Sequence, residues 1–532
     1  MPVKIKQQLA FAFATGTLLL ALGLIMYYII FPGQGYFHAD CTDTIYWAQA
    51  SYLSKKIFDP DFTYAAMLPF GGSLLMLPWI GIYGMSMTTH TIGMVLFALC
   101  LIGAFLFFFR SLKVGWTGSF WFTAIATMLL SSTDKLREMF WGHVIYYSLG
   151  VLFYLVGTGL VVRLLDKTGK YAKKQYIIYG VLCLFMFLTA LDGIQIAIIF
   201  ALPLAAALFL ESFFNLEKPL LDKQNHRSLS LFLSIIGVTL LGLLVLELLK
   251  NGQRAYYADG YSGFSPASEW GNNCLKLFNH WFSLFGGTIS GTISVFSMDL
   301  LWTLIRFVLA LILAVFPIMG LCFYRKITNR TIKIVIISHF VLMFVILAGF
   351  IFGSLGAANW RFIPLLASCI ITTLVLLWYF IKELRWYRFG ALFLPFLTLG
   401  MIASMVQIAK MPANYGRDGE AYELSAFLLE NDLTYGYAEF WQSQAITVIS
   451  NSQVQARNIV ISVTGVTPGY YQSSSTWFED QDGIDNYFVI VNTADLYWFE
   501  YSSVYNQYDD FVTEEYTVGD YVIYVFSENP FS

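Results

Sequence analysis

Eleven long apolar stretches, nearly all free of charged residues, limit the fold of this chain more than any other feature. They lie at 9–31, 88–109, 114–133, 139–162, 176–191, 193–210, 229–246, 301–324, 334–360, 362–381 and 389–409. Because the hydrocarbon core of a bilayer is about 30 Å thick, a helix of roughly 20 apolar residues can cross it. The pattern therefore predicts a polytopic α-helical membrane protein with about 11 transmembrane helices.

The overall composition supports this prediction. Of the 532 residues, 58% are hydrophobic and only 12% are charged. A soluble globular domain is about 25% charged, so most of this surface is expected to face lipid. The first apolar run is too long for a signal-peptide core and no small-residue cleavage site follows it, so we expect it to remain as a transmembrane helix.

The basic residues indicate the orientation. If the N-terminus is cytoplasmic, 19 of the 31 Lys and Arg fall in short inner segments, as the positive-inside rule requires. An odd number of spans then puts the C-terminus outside a plasma membrane. The stretch 277–298 is also free of Asp, Glu, Lys and Arg. Its Gly, Ser and Thr content and His280 favour a surface-lying or re-entrant segment.

Two regions follow from this topology. Residues 1–414 are expected to form a transmembrane module with long outer loops at 32–87 and 250–300. Residues 415–532 carry 18 Asp and Glu against two Arg and should form an acidic extracytoplasmic α+β domain. Alternating patterns predict its strands, and Glu420–Leu429 is typical of a helix. The predicted strands contain AITVIS, NIVISV, YFVIVN and DYVIYVF.

The first group of candidate functional residues is His38, Asp40 and Asp43, in the motif HADCTDTIYWAQA after the first span. On a helix Asp40 and Asp43 would share one face. A carboxylate at the membrane boundary is partly desolvated, which suits a general base. The simpler alternative is that Asp40 or Thr42 caps a surface helix.

A second group, Asp134, Arg137, Glu138 and His143, lies in TDKLREMFWGH at the outer end of the fourth span. His143 is expected one turn inside the helix. Arg137 can pair with a phosphate and Glu138 can orient a hydroxyl. Ordinary loop charges and a buried structural histidine are the alternatives.

The third group is Trp360 and Arg361 in NWRFIP, where Arg361 opens the tenth span at the outer face. Arginine matches a phosphate bidentately, and basic residues are scarce on this face. The alternative is an arginine that only anchors the helix at the interface. No P-loop, Rossmann fingerprint, HExxH motif, CxxC pair or basic nucleic-acid patch is present.

In their order along the chain these motifs resemble the GT-C glycosyltransferases, polytopic enzymes that use polyprenyl-phosphate-linked sugars. The stretch from Asp43 to Tyr46 is similar to the D-E-x-x-Y segment of the protein O-mannosyltransferase and aminoarabinose-transferase branch, although it is one residue shorter. Thr44 replaces the glutamate of that segment, so the base assignment stays open between Asp43, which we place first, and Asp40.

The resemblance implies a GT-C-like fold and sugar transfer from a polyprenyl-phosphate donor to an acceptor hydroxyl at the outer face. The acceptor would be a cell-envelope glycan, a lipid or a protein, and membrane lipids are further partners. The first-loop Asp would deprotonate the acceptor while Arg361 stabilises the leaving phosphate. The other candidates would bind substrate: His38, Asp134, Arg137, Glu138, His143 and Trp360. The resemblance does not imply a particular cofactor, and a divalent cation is an open alternative.

A transporter or lipid flippase is the competing hypothesis. Transporters tend to have two related halves, paired broken helices and charges near the bilayer midplane. Here the candidate charges cluster at the outer boundary and no similarity between halves is visible. These features favour the enzyme.

Overall fold

The computed structural model describes residues 3–165, 172–214, 223–256, 263–288 and 294–532. Within these residues, nine helices are long and apolar enough to cross a bilayer, which confirms the polytopic helical fold class. Their bounds are Lys4–Ile30, Met87–Ser111, Tyr146–Leu165, Ile194–Phe213, Asn225–Lys250, Met298–Cys322, Arg330–Ile351, Asn359–Lys382 and Tyr387–Lys410.

The two remaining predicted spans also contain helices. Trp116–Leu129 has 14 residues, which extend about 21 Å and fall short of the hydrocarbon thickness. It packs against the first and last membrane helices. Lys173–Ala190 packs against the helix Lys223–Lys250. Three basic residues of the predicted inner segments, Lys167, Lys170 and Lys218, lie outside the described residues.

Burial separates a central helix from peripheral ones. Nearly every residue of Ile363–Lys382 is buried, whereas the first helix exposes large apolar side chains such as Phe13 and Leu19. Exposed leucine and phenylalanine on a helix of this length are expected where the solvent is lipid. The bundle therefore surrounds Ile363–Lys382, the helix that Arg361 precedes.

The start of the fourth predicted span is wrong by seven residues. Instead of a continuous helix from 139, a π-turn covers Glu138–Gly142 and the helix begins at Tyr146. His143 lies between them with an extended backbone (φ −146°, ψ 126°), so it is outside the helix. This break lets the imidazole reach Asp43 of the first outer loop.

The first outer loop is built from short elements. These are the 3₁₀ turns Pro32–Tyr36 and Ala39–Thr42, the helix Asp43–Ser54, the strand β1 (Phe62–Thr63), the π-turn Pro69–Ser73 and the helix Leu74–Tyr83. Most side chains of Asp43–Ala50 are buried, so this helix is held between other parts of the protein.

The helix Trp270–Leu284 of the second outer loop buries Asn273 and exposes several large apolar side chains. Asn273 donates to the Ile351 carbonyl at 3.2 Å and His280 contacts the Gly356 carbonyl at 3.0 Å. The apolar side chains of Leu275 and Phe278 are exposed. Exposed apolar side chains on such a helix suit a lipid interface. The surface-lying or re-entrant segment at 277–298 stays a prediction, and its residues 289–293 lie outside the described part.

The C-terminal region contains a six-stranded mixed sheet in the order β4-β3-β2-β6-β8-β7. The central pairings of β2 with β3 and with β6 are parallel and the outer ones are antiparallel. The strands are β2 (Tyr435–Glu439), β3 (Gln455–Ser462), β4 (Gly465–Pro468), β6 (Tyr487–Asn492), β7 (Val512–Val518) and β8 (Tyr521–Phe526), and β5 (Ser473–Ser474) pairs with β1. The helices are Glu420–Glu430, Phe440–Ile449, Leu496–Glu500 and Ser503–Tyr508.

One predicted strand of this region is wrong. The AITVIS stretch belongs to the helix Phe440–Ile449, which packs against β3. Its β-branched residues favour a strand locally, but tertiary packing overrides such preferences. Strand β2 was not predicted, because its sequence YGYAE has little strand character, yet it lies at the centre of the sheet.

Asp192 links a helical hairpin to the first outer loop. It separates the helices Lys173–Ala190 and Ile194–Phe213 and is fully buried. Its carboxylate accepts hydrogen bonds from the backbone N–H groups of Phe70 at 2.8 Å and Gly71 at 2.7 Å. Burial raises the pKa of Asp192 to about 7, although these two bonds lower it.

We predict that this carboxyl makes stability depend on pH. Because its folded pKa is above the unfolded value, folded protein binds more protons between about pH 4 and 7, and stability falls as pH rises through that window. Asp192→Asn removes this titration. Thermal unfolding at about pH 5 and about pH 8 should show the wild type losing stability relative to the variant.

Asp61→Asn is the matched control, since Asp61 is an exposed carboxylate of the first outer loop, with which Asp192 forms its hydrogen bonds. A difference in Tm between wild type and Asp192→Asn that is the same at both pH values would contradict the prediction.

Candidate functional site

The two aspartates of the first loop have different environments. Asp40 lies in the 3₁₀ turn Ala39–Thr42 and is half-buried, whereas Asp43 begins the following helix and is 3% exposed. They do not share one exposed face. The predicted helix-capping role of Asp40 or Thr42 is not observed. The Thr42 hydroxyl donates to the Ala39 carbonyl at 2.6 Å, and the helix that begins at Asp43 has no side-chain cap.

Asp43 is held by two buried side chains. Its Oδ2 lies 3.3 Å from Nε2 of His143, and its Oδ1 accepts a hydrogen bond of 2.5 Å from the amide of Gln472. Burial raises the pKa of Asp43, although the contacts with His143 and Gln472 lower it. Burial lowers the pKa of His143, but the Asp43 carboxylate outweighs this and raises it. The two groups therefore titrate as a pair, each depending on the charge of the other.

Asp40 differs from Asp43 in having an unoccupied carboxylate. Within the described part of the chain it makes no side-chain hydrogen bond or ion pair, and it interacts with Asp43 and His143 only through space. A carboxylate in this condition can accept a proton from a bound hydroxyl. Asp43 cannot reach one without losing a buried partner.

A second set of predicted residues forms a line of charges. His38 lies 3.5 Å from Glu138, which pairs with Lys135 at 2.6 Å. The Lys135 ammonium in turn lies 4.7 Å above the ring of Trp360. Burial raises the pKa of Glu138, but His38 and Lys135 outweigh this and lower it to about 2. Glu138 is therefore ionised at neutral pH and carries a negative charge beside the first loop.

Arg137 is almost fully buried and its guanidinium is held by neighbouring groups of the protein. Its guanidinium donates to the Ser131 carbonyl at 2.8 Å and pairs with Asp134. Asp134 also accepts from the Tyr36 hydroxyl at 3.4 Å. Nε of Arg137 is buried without a partner in this geometry. Asp134 and Arg137 thus tie the short helix Asp134–Arg137 to the first loop.

Arg361 lies in the 3₁₀ turn Asn359–Phe362 that leads into the central helix. It is 9% exposed, donates to the Ser354 carbonyl at 2.6 Å and interacts with the Tyr147 hydroxyl. An arginine that served only as an interfacial anchor would extend toward lipid headgroups. This one points into the protein.

Two residues of this region were missed by sequence reasoning. Gln472 comes from the C-terminal region, 429 residues from its partner Asp43, and nothing in its local sequence marks it. Arg306 lies on Met298–Cys322, with its guanidinium near Thr133 and the backbone at Gly286 and within electrostatic reach of Asp134 and Arg137. A charged residue inside an apolar span is itself a signal of function, and this one interrupts the run 301–324.

The described residues do not fit a divalent cation. Among them, no group of three or more His, Cys, Asp or Glu side chains is arranged to hold a metal ion. Apart from Asp40, the acidic side chains of the site pair with basic ones.

Together, the nine predicted residues meet around one end of the bundle. Asp43 and His143 are in direct contact, Asp40 lies beside them, and His38 leads through Glu138 and Lys135 to Trp360. The arrangement combines an unpaired carboxylate, buried acid–base partners and several cationic side chains at the mouth of a membrane bundle. Such a set can deprotonate a hydroxyl and stabilise an anionic leaving group.

Comparisons with known proteins were made at the levels of sequence and structure. No protein-family model and no curated protein matches the sequence. The structure is similar to that of ArnT from Cupriavidus metallidurans bound to undecaprenyl phosphate, with a TM-score of 0.50 and 10% identity over 98% of each chain. It is also similar to the Archaeoglobus fulgidus oligosaccharyltransferase complex with Zn and sulfate, with a TM-score of 0.48 and 13% identity over 91% of this chain and 70% of the other.

At this level of identity the likeness concerns the fold. The match to ArnT extends over both the membrane helices and the C-terminal region, because nearly the whole of each chain is covered. The chain therefore has a polytopic membrane fold similar to that of ArnT, in agreement with the fold that its motifs predicted.

Proposed function

We propose that this protein is a membrane glycosyltransferase that moves a sugar from a polyprenyl-phosphate donor to an acceptor hydroxyl at the outer face of a membrane. The observation that carries the proposal is the unpaired carboxylate of Asp40 beside the buried pair of Asp43 and His143. This site lies at the end of a bundle whose fold is similar to that of ArnT, a protein solved with undecaprenyl phosphate.

Asp40 is the proposed general base. As the acceptor oxygen attacks C1 of the sugar, its proton passes to Asp40 and the bond from C1 to the phosphate oxygen breaks. The polyprenyl phosphate leaves with the bonding electron pair. Asp43 was placed first by sequence, but its buried contacts with His143 and Gln472 favour a positioning role.

Cationic side chains are proposed to stabilise the leaving phosphate. Arg361 lies next to Trp360 in the turn before the central helix, Arg306 lies within electrostatic reach of Asp134 and Arg137, and Lys135 lies over Trp360. Developing negative charge on a phosphate is stabilised most strongly by fixed donors in a poorly solvated site. Arg306 and Arg361 meet this requirement, because both are largely withdrawn from solvent.

The distribution of charge also weighs against the transporter alternative. The candidate residues cluster at the ends of helices and in the outer loops, whereas alternating-access carriers place their sites near the bilayer midplane.

The described residues of this site do not form a metal-binding group, so the proposed mechanism uses side chains alone. Turnover that persists in the presence of EDTA is expected.

The acceptor is proposed to be a hydroxyl of a cell-envelope glycan, lipid or protein in a plasma membrane. The site would face outward together with the C-terminal domain, here bounded as 415–532 beside the transmembrane module 1–414. This orientation rests on the basic residues of the short inner segments.

The first prediction concerns the base. Asp40→Asn keeps the shape of the side chain but cannot accept a proton, so turnover of a polyprenyl-phosphate-sugar donor should fall by about 10²-fold or more. Asp43→Asn should cost less turnover but lower thermal stability. Release of polyprenyl phosphate from purified protein in nanodiscs measures the former, and Asp61→Asn is the exposed control. Near-wild-type turnover in Asp40→Asn would exclude Asp40 as the base, and near-wild-type turnover in Asp43→Asn as well would exclude a first-loop carboxylate from the mechanism.

The second prediction concerns the phosphate. Arg361→Lys keeps the charge but loses the planar fork, and Arg306→Gln loses the charge. Since a hydrogen bond to a charged group contributes about 1.5–3 kcal/mol, each variant should bind undecaprenyl phosphate roughly tenfold more weakly or worse. Binding is measured by native mass spectrometry, with Arg388→Gln, at an exposed position in the first turn of the helix Tyr387–Lys410, as the control. Unchanged affinity in both variants would remove these arginines from the site.

The third prediction concerns topology. In a chain whose native cysteines have been replaced, Thr464→Cys in the exposed turn after β3 should react with a membrane-impermeant thiol reagent in intact cells. Glu383→Cys, in the basic segment after the central helix, should react only after permeabilisation. The opposite labelling pattern would reverse the proposed orientation.

A further inference from the structure

A short segment of the C-terminal domain docks onto the first outer loop. Strand β5 pairs antiparallel with β1, in the register Phe62 with Ser474 and Thr63 with Ser473. The Trp477 ring packs edge-on to Tyr46 with centroids 5.9 Å apart. This two-stranded sheet is a direct backbone connection between the C-terminal domain and the loop that carries Asp40.

Gln472, immediately before β5, is the polar centre of this contact. It is fully buried and its backbone has φ 55°, the left-handed region that a glutamine seldom adopts. Its Oε1 accepts hydrogen bonds from the indole N–H of Trp47 at 2.7 Å and from the backbone N–H of Ala65 at 3.3 Å. Its backbone carbonyl accepts a bond from the Gln444 amide at 3.1 Å.

These contacts fix the orientation of the Gln472 amide. Because its oxygen accepts two donors from the first loop, its NH₂ group must face Asp43, to which it donates at 2.5 Å. The other oxygen of Asp43 contacts His143. Each carboxylate oxygen of Asp43 thus has its own partner, and one of the two partners belongs to the C-terminal domain.

We infer that Gln472 is a positioning residue through which the C-terminal domain sets the geometry of the first-loop acid site. It holds Asp43 and His143 and, through Asp43, the adjacent turn that carries Asp40. The inference deepens the proposed function and rests on it for the role of Asp40. The C-terminal domain is then a part of the active site and not an independent module.

Removal of the amide should loosen the site. In Gln472→Ala the Trp47 indole, the Ala65 N–H and the Asp43 carboxylate each lose a buried partner. Hydrogen–deuterium exchange of peptides covering 38–54 in the full chain should become roughly tenfold faster, and kcat should fall about 10- to 100-fold at a nearly unchanged KM for the donor.

Gln472→Glu separates positioning from general structural damage. When protonated, the introduced glutamate can still donate to Asp43 and accept from Trp47, but when ionised it repels the Asp43 carboxylate. Its activity relative to wild type should therefore be nearest to normal at low pH and fall as pH rises. The deficit of Gln472→Ala should not depend on pH.

Gln442→Ala is the matched control, because Gln442 donates to Tyr521 within the same domain at 2.8 Å. It should change neither exchange at 38–54 nor kcat. Unchanged exchange at 38–54 in both Gln472 variants, or faster exchange with an unchanged kcat, would overturn the inference. Faster exchange in the Gln472 variants, together with a wild-type protein that transfers no sugar, would refute the proposed function and leave the coupling of Gln472 to the loop supported.

Discussion

The buried carboxylate of Asp43 is the interaction on which the outer half of this protein depends. A carboxylate that leaves water loses several kcal/mol of solvation unless it finds charged or hydrogen-bonding partners. Here the partners come from two distant places, His143 before the helix Tyr146–Leu165 and Gln472 in the C-terminal domain. Three segments that are remote in sequence must therefore assemble together. The π-turn Glu138–Gly142 interrupts the helix and thereby allows His143 to reach Asp43.

The same electrostatic cost explains the location of the other charges. A charge inside a lipid-facing helix is expensive, so charged residues gather where the helices end or where another chain segment covers them. At the outer end Glu138, Lys135 and Arg137 pair with neighbours. On the side predicted to be cytoplasmic, Arg330 bonds to Glu211 at 2.5 Å. The outer group differs in one respect: Asp40 has no such partner among the residues that the structure describes, and that difference makes this end the reactive one in our proposal.

Backbone polarity imposes a parallel constraint on the first outer loop. Its turns are too short to satisfy their own N–H groups, so other elements supply acceptors. Asp192 accepts from Phe70 and Gly71, and Gln472 accepts from Ala65. The loop is thereby fastened on one side to a membrane hairpin and on the other to the C-terminal domain. A loop fixed at both ends can present a carboxylate in one position, which catalysis by a general base requires.

The sequence by itself determined what depends on local composition. Long apolar runs fixed the helical membrane fold, because hydrocarbon thickness sets helix length directly. The strands that contain NIVISV, YFVIVN and DYVIYVF, and the helix after Gly419, also followed from their periodicity. The same local reasoning located the ionisable clusters of the site, since charges next to apolar spans are rare and visible.

The tertiary structure decided which of those charges are free and which are committed. The sequence placed Asp43 ahead of Asp40 as the base, and only the contacts of Asp43 with Gln472 and His143 favour the opposite order. The helical state of AITVIS was decided in the same way, by packing against β3. Contacts between residues hundreds of positions apart leave no periodic trace in the chain. Hydrogen-bond partnership and burial, the two quantities that set the basicity of a carboxylate, could therefore be obtained only from the folded protein.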